Sequence, residues 1–307
     1  MAISWPAFES DDAWSATYPV LHMWTQVIGK VKLALAAPEN HWWHSTLHVT
    51  TRGLTTGPVP YDGTTFELEL DFQEHRLTGR CHDGARAELS LPGLSVAEFH
   101  RSTLDLLGDL GVTVRIWPVP VEIPDAVPFA DDHRTGYDPD AARRWWLATV
   151  AVDQVLRTFR GEYLGKSSPV HFFWGAFDLA VTRFSGRPAP RHPGGVPGVG
   201  DWVMHEAYSH EASSAGFWPG TADGSVPPSL YAYAYPEPDG YRDVPMPDGV
   251  RFDPVLGELL LPYEVVQRST DPPAAALAFF RAAHSAATCS GHWDRELERS
   301  TFPGRPG

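Results

Sequence analysis

Apolar residues recur at intervals of three and four in four segments of the chain, a spacing that predicts amphipathic helices. The predicted helices cover residues 13–35, 95–110, 139–164 and 271–288. Ser95 is followed by Glu98, a capping-box pattern that marks the start of a helix. Asp271 precedes two prolines, which the first turn of a helix accepts.

Alternating and β-branched runs between these helices predict strands. The predicted strands cover residues 46–51, 66–72, 76–81, 86–91, 112–117, 230–235 and 258–261. Asp83-Gly84 is a two-residue turn that would join residues 76–81 to residues 86–91 as a hairpin. Antiparallel strands flanked by helices predict an α+β fold in which the helices pack on the sheets.

One further segment, residues 170–183, is apolar on both faces and predicts a central, covered strand. In such a strand His171 and Arg183 share one face, and Asp178 shares the other with Trp174. Burying an unpaired polar group costs about 2–7 kcal/mol. Asp178 is therefore expected either to form a structural ion pair or cap, or to face a ligand.

The chain also contains matches that suggest an internal duplication of a helix–strands–helix unit. Trp43 and Trp174 occupy the same place in two similar stretches, and both are expected at equivalent strand positions. Farther along, Glu88-Leu-Ser-Leu-Pro92 is echoed by Glu258-Leu-Leu-Leu-Pro262 at a wider spacing. The two halves should therefore share a pseudo-twofold relation, with extra residues in the second.

These matches divide the chain into a first repeat, residues 1–125, and a second, residues 126–307, within one compact two-lobed domain. The extra residues fall at about 187–228 and predict an inserted loop. Its Pro- and Gly-rich start, residues 187–200, excludes helix and strand. Because loops on a rigid scaffold often hold functional residues, we expect this insert to contribute to a site.

Composition narrows the class of protein. The 307 residues have a net charge of −14, which opposes binding to nucleic acid. Neither a secretory signal nor an apolar run of membrane-spanning length is present. Two cysteines fit a reducing compartment, so a cytoplasmic protein is expected, and its oligomeric state is left open.

Several catalytic motifs fail on spacing. His205 and His210 are five residues apart, which is one too many for the zinc-protease pattern. The glycines at 195–200 follow no strand and include a proline, so no nucleotide cofactor is expected. Neither a nucleophile elbow nor a phosphate-binding loop occurs.

Histidines remain as candidate metal ligands or acid–base groups. On a strand, His44 and His48 would stand about 13 Å apart, too far to share one ion. One of these histidines joined by ligands from elsewhere is a better candidate. The possible metal ligands are His44, His171, His210 and Glu211, and a divalent transition metal would suit them. For any single histidine, the simpler interpretation is a hydrogen-bonded core or half-exposed residue.

Aromatic residues are unusually abundant, with 12 Trp and 10 Tyr. Tyr231, Tyr233 and Tyr235 share one face of a predicted strand and form an aromatic wall. Such a wall is either core packing or the lining of a ligand pocket.

Several blocks together resemble a known family. They are Asn40-His-Trp-Trp-His44, Arg52-Gly-Leu-Thr-Thr56, Ser168-Pro-Val-His-Phe-Phe-Trp-Gly175, Phe177-Asp-Leu-Ala-Val-Thr-Arg-Phe-Ser-Gly186, Glu206-Ala-Tyr-Ser-His-Glu211 and Phe217-Trp-Pro-Gly220. The resemblance covers nearly the whole chain and is to a bacterial family known only as a domain of unknown function. It implies a soluble bacterial protein and supplies no reaction.

Three functions remain open. The first is an enzyme acting on a small, anionic organic substrate in a pocket between the repeats, with or without a metal. Its catalytic residues would be His171, His210 and Glu211. Its substrate-binding residues would be Arg183 as the anion anchor, Trp174, Trp218, Asp178 and Tyr208. The second is a non-catalytic small-molecule binder or sensor, and the third is a structural subunit.

The enzyme hypothesis makes a geometric prediction. His171 and His210 should converge on one cavity, with Trp218 closing it and Arg183 at its edge. The loop at 187–200 would then cover the cavity and gate access to it.

Overall fold

The computed structural model describes residues 5–8 and 11–298, which form two six-stranded antiparallel sheets and the helices around them. The first half contains α1 (Asp12–Leu35), β1 (His48–Val49), β2 (Gly53–Thr55), β3 (Val59–Tyr61), β4 (Thr64–Asp71), β5 (Arg76–Cys81), β6 (Arg86–Ser90) and α2 (Val96–Asp109). The second half contains α3 (Pro139–Gly161), β7 (His171–Phe173), β8 (Asp178–Pro188), α4 (Asp201–Ala207), β9 (His210–Trp218), β10 (Ser229–Tyr235), β11 (Arg251–Asp253), β12 (Glu258–Pro262), α5 (Tyr263–Gln267) and α6 (Pro272–Ser290). Short 3-10 helices lie at Asn40–Ser45, Phe129–Asp131, Tyr241–Asp243 and Arg295–Leu297.

The α+β fold class is confirmed, and so are the predicted helix starts. The Ser95 hydroxyl accepts from the backbone N–H of Glu98, whose carboxylate accepts from the backbone N–H of Ser95. Asp271 caps α6 by accepting from the backbone N–H of Ala274. Each cap satisfies N–H groups that a helix end would otherwise leave unpaired. Among the described helices, none is long and apolar enough to cross a membrane.

Two strand predictions are wrong. Residues 112–117 form no strand. Residues 170–183 are not one central strand but the hairpin of β7 and β8, with β7 at the edge of the second sheet and β8 inside it. The chain reverses between Phe173 and Asp178, where Phe177 takes a left-handed φ of 61°, a conformation that is uncommon for a residue with a bulky side chain.

One of the residue matches that suggested a duplication is not a structural equivalence. Trp43 lies in a 3-10 helix, whereas Trp174 lies in the turn between β7 and β8, so this match is wrong. The stretch at 187–228 is more than an inserted loop, because it contains β9, which pairs with both β8 and β10. Each half still has a helix, a six-stranded antiparallel sheet and a closing helix, and the boundary at residues 125 and 126 stays a prediction.

The second sheet has two different faces, because successive side chains on a strand alternate. Helices α3 and α6 pack on one face, where Leu179, Val181 and Phe217 belong to the main hydrophobic core. Ala180 and Tyr231 belong to a separate cluster on the opposite face. That second face is only partly filled by protein.

Candidate functional site

A cavity of about 800 Å³ lies over this second face. Its floor comes from alternate residues of the sheet, namely Asp178, Ala180, Thr182, Phe184, Ala212, Ser214, Trp218, Tyr231, Tyr233 and Glu258. Its walls come from α1, the 3-10 helix at Asn40–Ser45, residues 117–122, the loop at 196–200, and α4 with Tyr208. Both halves of the chain therefore build one site.

Aromatic side chains dominate the lining, and two of them mark the opening. Trp117 and Trp202 line the cavity yet are 69% and 64% exposed. Trp202 meets Trp42 edge to face, with ring centres 5.0 Å apart. Deeper in, Tyr231 and Tyr233 are stacked at 6.2 Å. Such walls suit a small organic molecule, because ligand pockets combine apolar surface with a few polar groups.

Three carboxyl groups supply the polar part of the lining, and each has a raised pKa. Burial raises the pKa of Asp178 to about 6. Burial raises the pKa of Glu122 to about 7 and that of Glu258 to about 8, and the charge on Asp178 adds to both shifts. Among the described residues, no basic side chain forms an ion pair with any of the three. They are thus held near neutral pKa values, as acid–base groups require.

Asp178 is positioned by a tyrosine from two strands away. The Tyr231 hydroxyl donates a hydrogen bond to the Asp178 carboxylate. Tyr231 reaches it by crossing β9 at Gly216, where a Cβ would collide with the Tyr231 hydroxyl and with the Leu179 carbonyl. Gly216 is therefore required for this hydrogen bond. Beside it, the hydroxyls of Tyr208 and Tyr233 are 2.9 Å apart.

Glu122 enters the cavity from a strained loop. Its backbone has a left-handed φ of 60°, which is unfavourable for a residue with a side chain. The side chain is accessible from the cavity although protein surrounds it. Its carboxylate packs on Gly175, where a Cβ would collide with it. Nearby, His22 Nε2–H donates to the Gly175 carbonyl at 2.8 Å, and burial lowers the pKa of His22 to about 4.

One lysine lines the cavity and a second contacts a residue of the lining. Lys30 lines the cavity from α1. Lys166 donates to Nε2 of His41 at 2.7 Å, while Nδ1–H of His41 donates to the Ala207 carbonyl. His41 also lines the cavity, and burial lowers its pKa. His41 and Trp42 have consecutive left-handed φ values of 56° and 63°, a second strained segment at this site.

The structure places four of the predicted substrate-binding residues in this cavity: Trp174, Asp178, Tyr208 and Trp218. Trp174 is fixed by its indole N–H, which donates to the Ser45 carbonyl at 2.5 Å. Residues 196 and 198–200 of the Pro-rich loop also line the cavity.

Arg183 and His171 lie outside the lining. Arg183 is buried with its guanidinium 3.5 Å from the centre of the Phe159 ring, and it donates to the Phe159 carbonyl. It cannot anchor a ligand in the cavity. His171 is buried beside His48 and Trp43, and burial lowers its pKa to about 3, so it is neutral at physiological pH.

The predicted metal ligands do not assemble. Glu211 accepts from Ser185 and Arg187, both at 2.8 Å, and is occupied as a structural ion-pair partner. His44 accepts from the backbone N–H of Glu39, and the His210 ring packs against His41. Across the whole described part of the chain, no three His, Cys, Asp or Glu side chains are placed to hold one metal ion.

Three charged residues of the cavity were missed by the sequence reasoning: Glu122, Glu258 and Lys30. Glu122 and Glu258 have no local signal, because they are far apart in the chain and converge only through the fold. Lys30 did have a local signal, because it is a charged residue within the predicted helix at 13–35. In the structure, α1 buries it to 4% exposure.

A comparison with protein families shows which family the chain belongs to. The model of a family of unknown function, DUF5996, matches residues 5–300. The chain belongs to this family. No match was found among curated proteins or among solved structures. The cavity geometry must therefore support any functional argument by itself.

Proposed function

We propose that this member of the DUF5996 family is an enzyme that performs acid–base chemistry on a small organic substrate in the cavity. The observation that supports it is the set of three carboxyl groups with near-neutral pKa values and no ion-pair partner among the described residues. They line an aromatic cavity of about 800 Å³, within the size range of ligand pockets.

The three groups differ in protonation at neutral pH. Asp178, with a pKa of about 6, is mainly ionised at pH 7 and would act as the general base. Glu258, with a pKa of about 8, is mainly protonated there and would act as the general acid. Carboxyl groups whose pKa values are set apart by their surroundings are the usual basis for such paired roles.

An anionic substrate would require a cation in the cavity. Arg183 is excluded from that role by its contacts with Phe159. Lys30 is the ammonium group that lines the cavity, so it takes over the role that was expected of Arg183.

The test is a comparison of substrate conversion by matched variants. Purified wild-type protein and the Asp178→Asn variant are incubated with a mixture of small metabolites at pH 7, and mass spectrometry follows loss and formation of each compound. The control is Asp239→Asn, which alters an exposed carboxylate. We expect conversion by the wild type and the control but not by Asp178→Asn.

Two outcomes would contradict the proposal, the first in the role of Asp178 and the second in catalysis itself. Equal conversion by Asp178→Asn would exclude Asp178 as the base. A compound that is retained in stoichiometric amount and released unchanged would favour the alternative, a non-catalytic binding protein, which the aromatic lining also supports.

A further inference from the structure

Lysine is rare in this chain, and its few positions are informative. The sequence contains three lysines, Lys30, Lys32 and Lys166, against 21 arginines. All other basic charge is carried by arginine, which has no reactive amine at physiological pH. A lysine that lines the cavity therefore brings an amine that no arginine could supply there.

Lys30 is the lysine with access to the cavity and no assigned partner. It is 4% exposed, and its amine lies 5.6 Å from the ring centre of Trp174 and 6.0 Å from that of Phe129. No described residue forms an ion pair or hydrogen bond with it, and burial lowers its pKa to about 8. Lys32 differs, because its amine donates to the Thr46 carbonyl at 2.5 Å.

We propose that the Lys30 amine is a nucleophile that forms an imine with the carbonyl carbon of an aldehyde or ketone substrate. The proposal rests on the proposed function, since it uses the same cavity. It changes the role of Lys30 from an anchor to a residue that bonds to the substrate.

The reaction balances without any other reagent. The lone pair of the neutral amine forms a C–N bond, the carbonyl oxygen takes up a proton, and the nitrogen gives up one proton to leave a neutral carbinolamine. That hydroxyl then leaves as water after a second protonation, which produces the protonated imine. A cavity carboxyl group would supply and recover these protons.

The surroundings favour this chemistry over simple charge pairing. A lysine becomes nucleophilic when an apolar environment holds part of it in the neutral form. The indole of Trp174 and the ring of Phe129 provide that environment. They also indicate that the carbonyl compound has an apolar or aromatic body.

The test is reductive trapping on the wild-type protein. The protein is mixed with benzaldehyde and cyanoborohydride at pH 7.5, and peptide mass spectrometry measures the labelling rate of each amine. With three lysines and the N-terminal amine as the reactive groups, assignment is direct. We expect Lys30 to be labelled about ten-fold faster than Lys166, because the cavity holds the aldehyde beside the Lys30 amine and burial lowers the pKa of that amine to about 8.

Labelling of Lys30 no faster than of Lys166 would overturn the proposal. A Lys30→Arg variant should lose the fast labelling while the label on Lys166 is unchanged, and its melting temperature reports whether it folds. Loss of conversion in Asp178→Asn together with slow labelling of Lys30 would retain the acid–base enzyme and exclude the imine. Fast labelling of Lys30 together with full conversion by Asp178→Asn would retain the imine and exclude Asp178 as the base.

Discussion

The hydroxyl of Tyr231 crosses strand β9 above Gly216 to reach the carboxylate of Asp178. In the register of the sheet, Tyr231, Gly216 and Ala180 stand side by side on adjacent strands. Gly216 thus leaves open the space that the phenol occupies. Tyr231 therefore positions Asp178, the proposed base, although their strands β10 and β8 do not pair with each other.

Replacing Gly216 by alanine should therefore damage both the fold and the site. The added Cβ would meet the Leu179 carbonyl and the Tyr231 ring. Overpacking of this kind costs about 1–3 kcal/mol of unfolding free energy. Urea denaturation checks it, with Gly108→Ala in α2 as the control, because a Cβ there meets no atom within 4 Å. A Gly216→Ala protein as stable as the control would show that the strand tolerates the methyl group.

The raised pKa of Asp178 predicts a pH-dependent stability difference. Burial raises its pKa from 3.8 to about 6, so the folded protein binds this proton more tightly than the unfolded chain does. The stability from this group is fully present below the unfolded pKa and is lost as the pH rises through 6. Asp178→Asn keeps an acceptor for Tyr231 and should be more stable than wild type at pH 8 by about 3 kcal/mol. At pH 4 the two should be close. A constant difference between pH 4 and 8 in urea denaturation would exclude this linkage.

Arg183 should affect stability and not ligand binding. Arg183→Met loses the hydrogen bond to the Phe159 carbonyl and the contact with its ring. We expect a loss of about 1–3 kcal/mol in the free energy of unfolding, while the rate of benzaldehyde labelling at Lys30 is unchanged. Chemical denaturation and the trapping assay measure the two effects. Slower labelling in a variant of normal stability would return Arg183 to the site.

Trp202, at the opening of the cavity, should affect ligand binding and not stability. Because Trp202 is 64% exposed, Trp202→Ala should change stability by less than about 0.5 kcal/mol. It should weaken binding of a fluorescent anilinonaphthalene dye about five-fold, since an aromatic contact contributes roughly 1 kcal/mol. Leu164→Ala is the control, because Leu164 is 54% exposed and lies outside the cavity lining. Equal dye affinity in both variants would remove Trp202 from the binding surface.

The helices and most strands could be predicted because their signals are local. Ser95 and Asp271 cap the helices they were expected to begin, and the hairpin at Asp83-Gly84 joins β5 to β6. The reversal between β7 and β8 could not be predicted. Its left-handed residue is Phe177, an apolar residue within an apolar run, and such a run resembles one continuous strand.

The candidate site was only half predictable for a related reason. Asp178 stood out because a charge in an apolar run needs an explanation, and it does line the cavity. Glu122 and Glu258 did not stand out, because acidic residues are ordinary in a loop and at a strand end. His171 and Arg183 misled because the expected single strand placed them on a shared face, whereas the hairpin separates them onto two strands.

Successive side chains of β8 and β9 alternate between the cavity and the core, so the cavity lining can change independently of the core. Thr182 and Ser214 face the cavity, whereas their neighbours Val181 and Ala215 belong to the core under α3 and α6. A change of side chain at the first pair would alter the lining of the cavity and leave the side chains that pack under the helices unchanged. Relatives could therefore diverge in substrate by exchanging every second residue of two strands, while the intervening residues preserve the scaffold.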